Sequence, residues 1–195
     1  MIKPFDFYFD FASPYTFLAH KEIVKVEKEN LIKIKYMPVL LGALLKTTGS
    51  KANADIPIKA KYMIKDCKLW AEKKNVSFKF NSNFPIISLN LMRSVLLAEK
   101  KGFSQKLINK IFDSIWIENL NLNETEVFEK LLTELGINAK IFLADLTDPV
   151  IKDDLKKRTS EALSKGIFGL PSFVINNKIF WGQDRLEFAL IEAKK

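Results

Sequence analysis

A chain of 195 residues, 48% apolar and 28% charged, can bury one sizeable core and does not have the composition of a disordered protein. No apolar run approaches the ~18 residues of a membrane helix, Asp6 and Asp10 interrupt the only apolar stretch near the N-terminus, and the single cysteine, Cys67, excludes a disulfide framework or a cysteine-based zinc cluster, so a cytoplasmic protein with no metal site is expected. The net charge of +8 rests on lysines scattered among 23 acids, with arginine only at 93, 158 and 185; this reads as a solvated surface that could draw small anions, and no nucleic-acid or membrane partner is expected.

Phe5-Asp6-Phe7-Tyr8-Phe9-Asp10-Phe11 alternates like a half-buried strand. Ser13-Pro14 supplies a favoured cap and a proline tolerated at the first helical position, predicting a helix over 14–29 that buries Phe17, Leu18, Ile23, Val24 and Val26. Ile32, Ile34 and Tyr36 alternate with lysines in a second strand that Pro38 ends, completing a βαβ unit. From about 40 to 165 the chain reads as helical throughout, in five or six helices. Met63, Cys67 and Trp70 share one face of a helix over 58–74, and further helices are expected over 87–101, 103–119, 124–135, 138–143 and 149–164, with a loop at 81–83. Asp153-Asp154 reads as a solvated pair at the start of the last of these. Residues 170–175 and 178–181 then form a hairpin about the turn Asn176-Asn177, and Asp184 with Glu187 has the capping-box pattern of a C-terminal helix.

Most familiar chemistries are missing. There is no P-loop, G-x-G-x-x-G or H-E-x-x-H pattern. His20, the only histidine, lies roughly 10 Å along the helix from Ser13 at ~1.5 Å per residue, too far for a Ser–His pair, and reads as a packing or surface residue. Cys67, on an apolar helical face, reads as an inert thiol. What remains is the helix start at Ser13, where free N–H groups and the positive end of the dipole suit an anion such as a thiolate; a plain helix cap is the alternative. Gly169-Leu170-Pro171 is either a simple turn or a selected cis-proline, and Asp184 is a cap or a ligand residue.

Asp6-Phe7-Tyr8-Phe9-Asp10-Phe11-Ala12-Ser13-Pro14-Tyr15 at one end of the chain is joined by Gly166-Ile167-Phe168-Gly169-Leu170-Pro171-Ser172-Phe173 and Phe180-Trp181-Gly182-Gln183-Asp184-Arg185-Leu186 at the other. With Leu41-Gly42-Ala43, Lys46, Gly49, Tyr62-Met63 and Trp116 between them, these segments resemble, in order and over essentially the whole chain, the DsbA-like branch of the thioredoxin superfamily. More closely, the chain resembles the 2-hydroxychromene-2-carboxylate isomerases and their relatives, the kappa-class glutathione transferases. The resemblance implies an α/β, thioredoxin-like core, residues 1–38 and 166–195, with a helical insertion over 39–165, in one compact unit. Where redox relatives carry C-x-x-C, this chain has Ser13-Pro14-Tyr15-Thr16, so dithiol exchange has neither an attacking nor a resolving thiol at that position.

The same resemblance implies glutathione as cofactor and Ser13 as the catalytic residue that holds its sulfur. Leu170 and Pro171 would pair with its cysteinyl backbone as an added strand does. Trp181, Gly182, Gln183 and Asp184 would hold its γ-glutamyl end. Lys46, Asn53 and Phe84 would face a small aromatic carboxylate substrate. Ser50 and Ile87 depart from the family pattern, which has Asn at both places, and bear on that second substrate. Reversible addition of thiolate to a conjugated α-keto acid, rotation and elimination would make an isomerase. A kappa-like transferase or peroxidase, or a non-catalytic thiol- or peptide-binding module, are the alternatives. A homodimer is usual for the family.

Overall fold

The alternation in Phe5-Asp6-Phe7-Tyr8-Phe9 produces the central strand β1 (Phe5–Phe9). Phe5, Phe7 and Phe9 enter the main core on one face of the sheet, while Tyr8 enters a smaller cluster on the other with Val39, Leu44 and Ile167. The structure is a computed structural model and describes residues 3–30 and 32–195. After β1 come α1 (Pro14–Asn30) and β2 (Ile34–Pro38). Then follow α2 (Leu41–Thr47), α3 (Pro57–Lys73), α4 (Leu89–Lys101), α5 (Ser104–Trp116), α6 (Thr125–Glu134), α7 (Ala139–Asp145) and α8 (Pro149–Ser164). The chain closes with β3 (Ser172–Ile175), β4 (Lys178–Trp181) and α9 (Leu186–Ala193). The sheet order is β2-β1-β3-β4; β1 runs parallel to β2 and antiparallel to β3, and β3 and β4 form the hairpin. Asn176 and Asn177 take φ of 48° and 60° in the turn, as a two-residue hairpin with matching twist requires.

Aromatic rings fill the main core. Phe7 stacks on Phe9 and Phe173, with ring centroids 5.8 and 5.4 Å away, and meets Tyr36 edge-on at 5.3 Å. The same core continues without a break into α4, α5 and α6 through Phe112, Trp116 and Leu132. Trp116 is fully buried, and its indole N–H donates to the Phe11 carbonyl at 3.0 Å, tying α5 to the loop that follows β1.

Several local expectations are corrected. The middle of the chain is not helical throughout: residues 74–88 form an irregular segment with a cis Phe84–Pro85 bond. There the Asn81 amide donates to the carbonyls of Ile115 and Leu120 at 2.8 and 3.0 Å, holding the segment to the end of α5. Phe78, Phe80 and Phe84 pack on Trp116. The helices between β2 and β3 number seven, because Leu41–Thr47 forms a short helix of its own. No capping box forms at Asp184; a 3₁₀ turn over Gln183–Arg185 intervenes, Arg185 takes the cap position, and it makes no side-chain cap bond. Val24 is half-buried. Asp154 is an ion-pair partner of Arg158, 3.2 Å away, and Arg158 also meets Glu99 at 2.8 Å. Among the described residues, no helix is long and apolar enough to cross a membrane, and no cluster of His, Cys, Asp or Glu could hold a metal ion.

His20 is a packing residue. It is fully buried, stacks on Phe112 with centroids 4.7 Å apart, and its Nδ1 lies 2.9 Å from the Tyr36 hydroxyl. Burial, and then the charge of Lys21, push its pKa down to about 3, with Asn109 acting weakly the other way. A histidine held neutral in the fold but free to protonate when unfolded stabilises the protein fully above ~6.5, and that contribution is lost as pH falls toward the folded value. Wild type should therefore lose about 2 kcal/mol more unfolding free energy than His20→Gln between pH 7 and pH 5. Parallel urea titrations of the two proteins check this, and the comparison separates His20 from buried Asp10, which acts in the opposite sense. In the same assay at pH 7, Phe7→Ala should cost about 3–5 kcal/mol.

Candidate functional site

The helix start at Ser13 is built by its neighbours. The Ser13 N–H donates to the Asp10 carbonyl at 3.3 Å, and the Ser13 carbonyl accepts from Phe17 at 3.2 Å as the first bond of α1. Ser13 Oγ accepts the Thr16 N–H at 3.2 Å, so Ser13 does cap the helix. That bond uses the oxygen as an acceptor only. No acceptor for the hydroxyl proton is present among the described residues, and Ser13 is 5% exposed at the wall of a cavity of about 320 Å³.

Asp10 holds this loop in place. Its carboxylate is buried; Oδ1 accepts the Ala12 N–H at 3.0 Å and Oδ2 accepts the Leu41 N–H at 2.8 Å. One side chain thus fixes both the residue before Ser13 and the first residue of α2, whose Leu41 and Leu45 form a wall of the cavity. Burial pushes the Asp10 carboxyl above its ordinary value, opposed by the Ala12 N–H, the Ser88 hydroxyl and the Leu41 N–H. Sequence reasoning gave Asp10 no part in the site, although an aspartate two residues before a turn N–H is the pattern of an Asx turn.

The opposite wall comes from the segment before β3. The Leu170–Pro171 bond is cis. The Ser172 hydroxyl donates to the Gly169 carbonyl at 2.7 Å, and the Gly182 N–H donates to the Pro171 carbonyl at 3.0 Å. Neither the N–H nor the C=O of Leu170 has a hydrogen-bond partner among the described residues, and Leu170 lines the cavity. Trp181 closes this side against Phe168, with ring centroids 4.9 Å apart. It lies so close to Gly169 that a Cβ there would sit 2.7 Å from its indole nitrogen, so any side chain at 169 would push the half-exposed indole away from this wall.

Of the residues singled out in the sequence, Ser13, Asn53, Phe84, Leu170 and Trp181 line this one cavity. Pro171, Gly182, Gln183 and Asp184 lie in the adjoining backbone and the turn after β4, outside the lining. Gln183 is buried and its Oε1 has no hydrogen-bond donor, while Asp184 is exposed with Oδ2 3.5 Å from Arg185. Lys46 is exposed on α2 and outside the lining; the cavity's cation is Lys51, in the loop after α2, and the lining contains no carboxylate. Tyr15 also lines the cavity, and its hydroxyl donates to Asp66 Oδ2 at 2.8 Å, joining α1 to α3. Burial and then that bond to Asp66 push the Tyr15 phenol upward. Cys67 is fully buried beside it, its thiol pushed up to about 12 chiefly by burial and then by Asp66.

A family model described as a DSBA-like thioredoxin domain matches residues 5–191. The chain belongs to the DsbA-like thioredoxin domain family. Within it, this DsbA-like chain is 26% identical to 2-hydroxychromene-2-carboxylate isomerase of Sphingobium xenophagum, covering 96% of each sequence. It is 24% identical to glutathione S-transferase kappa 1 of Homo sapiens, over 93% of this chain and 87% of that protein. A solved structure of a 2-hydroxychromene-2-carboxylate isomerase superposes with a TM-score of 0.87 at 23% identity, covering 95% of this chain and 91% of that one. In this DsbA-like fold Ser13 caps α1 and Thr16 lies in its first turn.

Asp10→Ala would strand two N–H groups at once and should lower unfolding free energy by about 2 kcal/mol or more. Asp10→Asn, which keeps one oxygen acceptor, should cost less. Guanidinium denaturation of the two variants beside wild type measures the difference.

Proposed function

We propose that this protein is a glutathione-dependent isomerase of the 2-hydroxychromene-2-carboxylate type. The observation that carries the reading is one cavity with two complementary vacancies in its hydrogen bonding: a serine proton without an acceptor and, across from it, a backbone N–H and C=O without partners. A cysteinyl residue laid along Leu170 as an added strand satisfies the backbone pair and brings its sulfur toward Ser13. The kinship with enzymes named for the isomerase and for glutathione transferase supports the same reading.

Glutathione held there would supply the thiolate nucleophile for reversible addition to a conjugated α-keto acid. The chain's residues make that thiolate available and position it. A free thiol with pKa ~8.5 is only slightly ionised at neutral pH. A hydroxyl donating to it contributes ~1.5–3 kcal/mol, worth about 1–2 pKa units, and the N-terminus of α1 adds ~0.3–1 kcal/mol. No general base is needed, and buried His20 is not placed to be one. Gln183 and Asp184 would hold the γ-glutamyl end, the exposed Asp184 carboxylate suiting its ammonium. Lys51, with no opposing carboxylate in the lining, would draw the carboxylate of the second substrate, and Leu41, Leu45, Met63 and Phe84 would cover its ring.

Ser13→Ala should leave the fold intact and raise the apparent pKa of bound glutathione thiol by about 1–2 units, read from the ultraviolet thiolate band across pH. Activity on a 2-hydroxychromene-2-carboxylate should fall by about 10–100-fold. An unchanged thiolate titration in that variant would leave Ser13 as a helix cap alone. The kinship with kappa transferases supports a second reading, in which glutathione is consumed; constant free thiol during turnover favours the isomerase, and stoichiometric loss favours the transferase.

A further inference from the structure

A second cleft opens on the helices between β2 and β3, away from Ser13. It has a volume of about 490 Å³ and lies between the start of α4, the start of α6, the end of α7 and the first turn of α8. Its floor is apolar: Leu91, Leu122, Phe128 and Leu146 are all buried there. Ile87 and Leu89 stand at its rim with 69% and 39% of their surfaces exposed. Two cations line it, Arg93 and Lys152, and no carboxylate does.

Arg93 departs from what folding alone would produce. Its Nε is sealed from solvent and has no hydrogen-bond partner. Nη1 donates to Asn90 Oδ1 at 3.2 Å, and among the described residues the guanidinium has no other acceptor and no ion pair. Arg158, on α8, shows the usual arrangement, held by Glu99 and Asp154 together. A half-buried guanidinium without a carboxylate is costly to keep, because buried donors are nearly always satisfied. Its planar fork matches a carboxylate or a phosphate in bidentate geometry, and the apolar floor beside it decides between them.

We propose that this cleft binds a monocarboxylate carrying an aliphatic chain: the carboxylate pairs with the Arg93 guanidinium where it lines the cleft, Lys152 adds charge at the rim, and the chain lies on Leu91, Leu122 and Phe128. The site is separate from the cavity at Ser13 and does not depend on the function proposed for it. An apolar floor with a fixed polar anchor is the general form of a small-ligand site. Inorganic phosphate, which has no apolar part, would leave the floor uncovered.

The test uses octanoate as the probe, with octan-1-ol and inorganic phosphate as controls, by calorimetry and by chemical-shift mapping on the full chain. Octanoate should bind, shift resonances of Phe128 and Leu122, and lose affinity by about tenfold or more in Arg93→Met. Octanol should bind more weakly and be indifferent to that substitution, and phosphate should not shift Phe128. Circular dichroism reports whether Arg93→Met folds. If it does not, Lys152→Met at the rim replaces it, with a several-fold loss for octanoate alone. Octanoate binding no tighter than octanol, binding unchanged in the folded variants, shifts confined to the Ser13 cavity, or binding of an acidic apolar peptide without binding of octanoate would each overturn the proposal.

Discussion

The candidate site depends on one buried carboxylate. Asp10 ends the central strand, and its two oxygens take N–H groups from segments 29 residues apart in sequence, Ala12 and Leu41. An α-helix start has unsatisfied donors by construction. Asp10 satisfies one at α2 and thereby joins that helix to the loop that carries Ser13. The cavity wall and the serine are therefore placed by the same interaction. Because the carboxylate is sealed from solvent, its partners cannot be exchanged for water without cost.

The aromatic core gives this arrangement its stiffness. Phe7, Phe9 and Phe173 stack across neighbouring strands, and Phe11 is gripped through its carbonyl by Trp116 of α5. The tight turn at 10–13 is thus held from the sheet side and from the helical side together. On the other wall, the indole of Trp181 lies directly against the Gly169 backbone. The open polar groups of the cavity, at Ser13 and Leu170, thus sit on segments that their neighbours hold, as preorganisation requires.

Much of this was legible in the sequence because local rules and global fold agree there. Alternation gave β1, Ser-Pro gave the start of α1, and Asn-Asn gave the hairpin turn between β3 and β4. Asn138 and Asp148 cap α7 and α8 with their side chains as their residue types suggest. The parts that escaped are those decided by distant partners. Residues 74–88 carry no pattern of their own and take their shape from the Asn81 amide and the side of Trp116. Asp184 has every local mark of a cap, yet Gly182, at φ 116°, turns the chain so that a 3₁₀ turn comes first. The meeting of Ser13, Asn53, Phe84, Leu170 and Trp181 at one cavity was suggested by likeness to other proteins, since residues so far apart in sequence announce no common wall. Lys51, a loop lysine among many, had no signal that distinguished it from Lys46.

The single sulfhydryl of this chain carries a broader lesson. Cys67 is packed out of reach in the core, and the start of α1 bears two alcohols, Ser13 and Thr16. Among the described residues no thiol is exposed to peroxide or to mixed-disulfide exchange. Any thiol chemistry at this cavity therefore needs a sulfur brought from outside the chain, and its supply would follow the thiol–disulfide poise of the surroundings.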